Sequence, residues 1–269
     1  MKPLFGSNYV SASGDSGAVT GTRERMVSLL GIAAPVSRRR FGDACKRLLD
    51  VAVAAFVLVL FSPVLAIVAA AIKLDSRGPV FFRCRRVGFR GSQLAMLKFR
   101  KMHDSASGVA LTLADDTRFT RIGRSLAKTK LDELPQLWNV LKGEMTLVGP
   151  RPEDPGFVEL RREDYEVILS VKPGVTGLCQ LAFAKESEIL DARDRVGKYV
   201  TQLLPQKAAL DRLYVERRSF LMDLKILVWT AVAVLVRRDV AVHRSTAGLT
   251  LRQPRTAPAL ATATAEGQA

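Results

Sequence analysis

The sequence predicts a helix-dominated, mixed α/β protein attached to a membrane, and three observations carry that expectation. Residues 51–72 form a run of 22 residues without a charge, long enough at ~1.5 Å per residue to cross a bilayer core. Two short β-compatible runs around Gly88 and Gly91 read as a small hairpin. Basic and apolar residues then recur at helical spacing, as in helices that lie on an interface. The hydrophobic fraction of 48% over 269 residues excludes full-length disorder. A formal charge of +15 points to an anionic partner: nucleic acid, an anionic membrane surface or a phosphorylated substrate.

Taken in order, residues 1–40 read as a flexible tail. Residues 26–36 are apolar but too few for a secretory signal region. The uncharged run follows, interrupted by Ser62-Pro63. Proline removes a backbone donor and clashes with the preceding turn, so the helix bends there. Each half, at ~17 Å, is too short to span ~30 Å alone. The Ser62 hydroxyl is placed to bond a nearby carbonyl and soften the break. Arg38, Arg39, Arg40, Lys46 and Arg47 precede the run, and Lys73, Arg77, Arg83, Arg85, Arg86 and Arg90 follow it. Basic flanks on both sides suit a helix-break-helix hairpin over residues 48–73 that enters and leaves on one face. A kinked single span is the other arrangement these residues allow.

After a Gly78-Pro79 turn, residues 80–82 and 94–99 form the expected hairpin. Arg118, Arg121, Arg124 and Lys128 recur on one helical face. They face anionic headgroups or phosphates, or simply solvent. Residues 134–141 read as a helix with Pro135 in its first turn, ended by Gly143. A rigid turn at Gly149-Pro150-Arg151-Pro152 comes next, then a charged helix over residues 157–170. A turn covers residues 172–177, and mostly polar helix covers 180–215. Residues 220–236 are apolar, but Asp223 and Lys225 leave only residues 226–236 clean, which suits an interfacial helix. Residues 239–269, rich in Ala, Thr and Pro, read as a disordered tail. The main domain is thus 41–238.

Cys45, Cys84 and Cys179 are odd in number and widely spaced, which argues against a disulfide scaffold or a cysteine zinc site. With only His103 and His243, a histidine metal centre is excluded. No Walker A or GxGxxG loop is present, and no basic-aromatic interleaving suggests nucleic acid as partner. Chemistry concentrates at Asp132-Glu133. One carboxylate of such a pair can attack phosphorus while the other holds Mg²⁺. The cations from Arg118 to Lys130, with Arg151, would keep both ionised and offset phosphoryl charge. Thr129 to Asp132 also fits a simple helix-capping box. Gly149 to Pro152 reads either as a tight turn or as a mount for the Arg151 guanidinium against a phosphate.

Together these residues resemble the bacterial sugar transferase family, the monotopic phosphoglycosyltransferases. The resemblance rests on KRLLDVAVAA at residues 46–55, FSP at 61–63 and IKLDSRGPVFF at 72–82. It continues through RVG at 86–88, LKFRKM at 97–102, DTRFTRIGRSLAKTKLDELPQLWNVLKGEMTLVGPRPE at 116–153, VKPGVTG at 171–177 and SFLMDLKIL at 219–227. It implies a re-entrant helix broken at Ser62-Pro63, with the globular part on the cytoplasmic face of the bacterial inner membrane. It also implies transfer of a sugar 1-phosphate from a nucleotide sugar, usually a UDP-sugar, to polyprenyl phosphate. Asp132 would be the nucleophile, forming a phosphoglycosyl-aspartate and releasing UMP. Glu133, with Asp132, would bind Mg²⁺, and Lys98, Arg100, Arg124, Arg151 and Gln180 would bind donor and phosphate. Membrane lipid is the implied surrounding, and later glycosyltransferases are possible partners. A non-catalytic scaffold of the same fold that recruits them is the alternative. The chain departs from the family at Cys84, where glutamine is common. It also departs after Gln180, where Leu-Ala-Phe-Ala replaces the common Val-Asn-Gly-Arg.

Overall fold

The computed structural model describes residues 40–251 apart from 105, 107, 109, 110, 114, 191–193, 237, 238, 244 and 245. Most of both expected tails, 1–39 and 252–269, lies outside the described residues.

The uncharged run folds as two helices, α1 (Arg40–Leu60) and α2 (Ser62–Asp75). They meet at a bend of 62°. Pro63 opens α2, where its missing N–H costs nothing. The Ser62 hydroxyl donates to Val59 O at 2.8 Å, as its position suggested. Among the described residues no single helix is long and apolar enough to cross a membrane, whereas this bent pair passes by length and composition.

The first half of α1 is a docking element. Lys46 Nζ donates to Val148 O and pairs with Asp223 Oδ2 at 2.7 Å. Arg47 donates to the carbonyls of Val140 and Leu141. Asp50 accepts from the Thr146 hydroxyl and from Leu147 N. These cations therefore serve the fold as well as flanking the apolar run.

Strands β1 (Phe81–Val87) and β2 (Gln93–Phe99) form the antiparallel hairpin, with Phe81 opposite Phe99 and Val87 opposite Gln93. The first strand is longer than expected, because Arg83, Arg85 and Arg86 occupy a polar strand. Then come α3 (Arg121–Thr129), a 3-10 turn at Leu131–Glu133 and α4 (Gln136–Leu141). Strand β3 (Thr146–Val148) pairs in parallel with β4 (Gly174–Thr176). Between them lie α5 (Pro155–Leu160) and α6 (Arg162–Ile168), two helices where the sequence suggested one. Arg161, at φ −132°, breaks the run between them. Short helices α7 (Leu178–Ala182), α8 (Glu186–Ile189) and α9 (Arg195–Lys198) lead through a π turn into α10 (Leu204–Arg217), followed by α11 (Phe220–Val236).

Strands β5 (Val240–Val242) and β6 (Leu249–Leu251) pair antiparallel. They lie where a disordered tail was expected from 239. Val240 and Leu249 are buried in the main core with Leu147, Leu178 and Ile226, which holds this segment in place. A second cluster joins Val87, Phe157, Tyr165, Tyr199 and Leu204. A third joins Ile72, Phe99 and Leu126, fixing the end of α2 against β2 and α3.

Candidate active site

Helix α3 starts at Thr120, whose hydroxyl accepts from Gly123 N, and Asp75 at the end of α2 accepts from Ile122 N at 3.0 Å. Gly123 lets α3 press onto the chain after β2: a Cβ there would sit 1.8 Å from Lys101 O. Lys130 then takes the left-handed conformation at φ 60°, reversing the chain in one residue. For a residue with a Cβ this carries a strain of order 1 kcal/mol. The reversal turns Asp132 inward, where it is 1% exposed. The capping-box reading does not hold. Thr129 ends α3, and its hydroxyl donates back to Ser125 O and Leu126 O.

Asp132 and Glu133 meet different surroundings. Lys101 Nζ lies 3.1 Å from Asp132 Oδ2 as an ion pair, outside hydrogen-bond geometry, and neither carboxylate oxygen has a hydrogen-bond partner. Glu133 Oε1 accepts from both Lys98 Nζ and Arg151 Nη2, each at 2.9 Å. Burial pushes the Glu133 carboxyl up, but Arg151 and Lys98 outweigh it and hold the group well below the usual range. Glu133 in turn raises Arg151. Burial lowers Lys98 despite the pull of Glu133. The partly exposed side chains of Lys101, Glu133 and Arg151 border the more deeply buried Asp132.

Arg151 sits on a heavily fixed loop. Val148 O, just before it, accepts from both Lys46 Nζ and Tyr214 Oη. Gly149 N donates to Thr176 O and Gly174 N to Pro150 O. A Cβ on Gly174 would fall 2.1 Å from Gly149 N, so the two loops touch backbone to backbone. The Arg151 backbone also donates to the buried Asp211 carboxyl, whose pKa burial pushes up to about 8.

Of the other residues the sequence singled out, Lys98 joins the cluster directly. Arg100 does not. Its guanidinium donates to the carbonyls of Ser76 and Arg77, closing the end of the helix hairpin. The strand stops at Phe99, so the alternation that would place 98 and 100 on one face does not extend to Arg100. Arg124 lies on the exposed side of α3, outside the ion-paired cluster. Arg118 precedes α3 and is bound to Asp116 through Nε and Nη2 rather than continuing the basic face. Gln180 Nε2 donates weakly to Gly149 O and Gly174 O, against the loop that carries Arg151, and its Oε1 is buried without a partner. The sequence reading gave no role to Lys101 or Asp211.

The sequence model of the family described as "Bacterial sugar transferase" matches residues 41–237. The chain belongs to the bacterial sugar transferase family. This bacterial sugar transferase is 40% identical over 198 residues to the UDP-glucose:undecaprenyl-phosphate glucose-1-phosphate transferase of Caulobacter vibrioides, covering 72% of this chain and 70% of that protein. It is 38% identical to the Klebsiella pneumoniae protein of the same name, over 72% of this chain and 41% of the relative. It is also 38% identical to the exopolysaccharide production protein PSS of Rhizobium leguminosarum bv. phaseoli, over 71% of this chain and 96% of the relative. The match takes in every residue of the Asp132 cluster.

Proposed function

We propose that this bacterial sugar transferase is an undecaprenyl-phosphate sugar phosphotransferase. It moves a sugar 1-phosphate from a UDP-sugar to undecaprenyl phosphate through a covalent Asp132 intermediate and so begins the assembly of a surface polysaccharide. The names of its relatives support the donor and acceptor. The observation that carries the covalent step is the state of Asp132: a buried carboxylate that accepts no hydrogen bond, ion-paired with Lys101 through Oδ2 alone and next to a glutamate that absorbs two further cations.

In the first half-reaction an Asp132 oxygen gives its electron pair to the sugar-linked phosphorus. The bond from that phosphorus to the UMP oxygen breaks, and its pair leaves with UMP. In the second, an oxygen of the lipid phosphate attacks the same phosphorus, and the acyl-phosphate pair returns to Asp132. Lys98, Lys101 and Arg151 offset the anionic charge throughout. Glu133 keeps Lys98 and Arg151 in place while lowering the local positive charge.

A Mg²⁺ ion binds through one or two carboxylates and otherwise through substrate oxygens and water. Among the described residues no group of three or more candidate ligands exists, so only that mode fits. Asp132, with unpartnered oxygens, and Glu133, whose two protein contacts both fall on Oε1, are the residues that would hold it. When bound, the ion supplies charge neutralisation on the diphosphate.

The bent α1–α2 pair supports a re-entrant anchor at the cytoplasmic face of the inner membrane. Leu74 is 88% and Leu235 on α11 is 81% exposed, and Phe56, Val59, Ile67 and Leu221 also face outward. Apolar exposure on this scale suits lipid. Incubating the enzyme with radiolabelled UDP-glucose and Mg²⁺, without lipid acceptor, is expected to leave label on the denatured protein. No label on an enzyme that turns over would reject the covalent mechanism.

A further inference from the structure

We infer that Gln136 binds the phosphoryl group that Asp132 captures, its carboxamide Nε2–H donating to a non-bridging oxygen of that group. This rests on the covalent reading above and adds a residue to it.

Gln136 is fully buried, at 0% exposure, and neither Nε2 nor Oε1 has a hydrogen-bond partner. Buried amides in folded proteins are nearly always paired. One left with both ends open is either a packing fault or half of an interaction that a ligand completes. Its neighbours decide between these. Gln136 follows Asp132 by one turn, and the intervening Leu134 and Pro135 keep helical backbone angles. Asp132 and Gln136 both point inward, and so does Asn139 on the next turn.

Asn139 marks what this inward side faces. Its Oδ1 accepts from Leu97 N, and its Nδ2 donates to Ala95 O and Glu144 Oε2. Three residues away, a second amide is therefore fully used, by β2 and Glu144. At the other end, Asp132 meets Lys101 just past the end of that strand. Gln136 lies between Asn139 and Asp132 in the chain. Packing there is good enough to satisfy Asn139, yet both polar ends of Gln136 and both oxygens of Asp132 are buried and make no hydrogen bond.

The surrounding chemistry selects the ligand. Lys98 and Lys101 make the place anion-selective, and a neutral N–H adds a directional donor that cations on flexible stems do not supply. A tetrahedral phosphoryl group bonded to Asp132 brings such an acceptor oxygen within reach of the next turn. The amide exchanges no proton. The bond made is Asp132 O–P, the bond broken is P–O to UMP, and Gln136 holds the oxygen that stays on phosphorus.

The test uses Gln136→Leu and Gln136→Met, which keep the volume and remove the polar ends. Full-length enzyme in detergent, with Mg²⁺ and labelled UDP-glucose but no lipid acceptor, is quenched on the millisecond scale. The burst amplitude counts competent molecules and the burst rate constant reads phosphoryl capture, so partial misfolding changes only the amplitude. The expected result is a rate constant at least tenfold lower in both variants, with Tm unchanged or raised, because an open buried amide does not stabilise the free enzyme. A rate constant lowered by less than tenfold overturns the inference, whatever happens to Tm. Absence of a burst in the unmodified enzyme rejects the covalent reading instead, so the two failures are distinct.

Discussion

Two buried polar regions of this molecule are built in opposite ways. The groups that meet at the Val148 carbonyl are all paired. Tyr214 Oη bridges Val148 O and Asp223 Oδ1, while Lys46 Nζ bridges Val148 O and Asp223 Oδ2. Close by in sequence, Glu153 accepts from the Tyr199 hydroxyl, and Lys207 ties Glu153, Glu186 and Tyr199 together. Around Asp132 the accounting does not close: four side-chain oxygens and nitrogens of Asp132 and Gln136 are buried and open. A closed network fixes geometry and gains nothing from a ligand, whereas an open one gives up stability to be completed by one. The difference separates the frame that holds Arg151 from the surface proposed to meet substrate.

The largest way to break this comparison is Asp132→Asn. Turnover, followed as UMP release, should fall by about 10³-fold or more, and no label should remain on the denatured protein. Arg151→Gln should come next, losing on the order of 10²-fold, as for removal of a charge-stabilising donor. If the frame is separate from the site, Tyr214→Phe should behave differently. It deletes the one hydroxyl shared by Val148 O and Asp223, costing about 1–2 kcal/mol of stability in denaturant melts, while the burst rate constant per competent molecule stays near the original. A large fall in that constant would merge the two regions into one.

The smallest effect is in pH. The Asp211 carboxyl is raised to about 8 by burial, so the stabilisation from its protonated form is complete below about pH 4. It is lost as pH climbs toward 8. Glu153 is opposed by burial but is held at about 2 by Lys207 and Arg86, so its contribution is full above about pH 4.5 and lost only as pH falls toward 2. Of these two groups Asp211 is the one that acts between pH 5 and 8, and its share of Tm should decline across that window. Asp211→Asn should flatten the decline by a few degrees.

The bent helix pair and the first hairpin were legible because a long apolar run, proline and paired glycines act locally. Pro63 forecast the bend, and Gly88 and Gly91 forecast the turn. The parallel pair β3–β4 was not legible. Three residues at 146–148 and three at 174–176, flanked by Pro150 and Pro173, carry no period of their own and pair only once α5 and α6 fold between them. At the site, Asp132, Glu133, Lys98 and Arg151 stood out through charge type and the DELPQ and GPRP motifs. Lys101 and Arg100 were exchanged because β2 ends one residue before the alternation reaches them. Asp211 gave no signal: it is a single acid in a polar helix, and its contact with Arg151 crosses 60 positions of chain.

The hydrogen bond from Ile122 N to Asp75 joins the last residue of the bent helix pair to the first turn of α3. Lys46, Arg47 and Asp50 fasten the opposite end of that pair to β3, α4 and α11. The bent helix pair and the Asp132 cluster are thus parts of one cooperative folding unit, stitched at both ends of the pair. Cutting the chain after residue 75 would unpick both seams, so the outward apolar faces of the pair can be altered only by recolouring them, not by amputation.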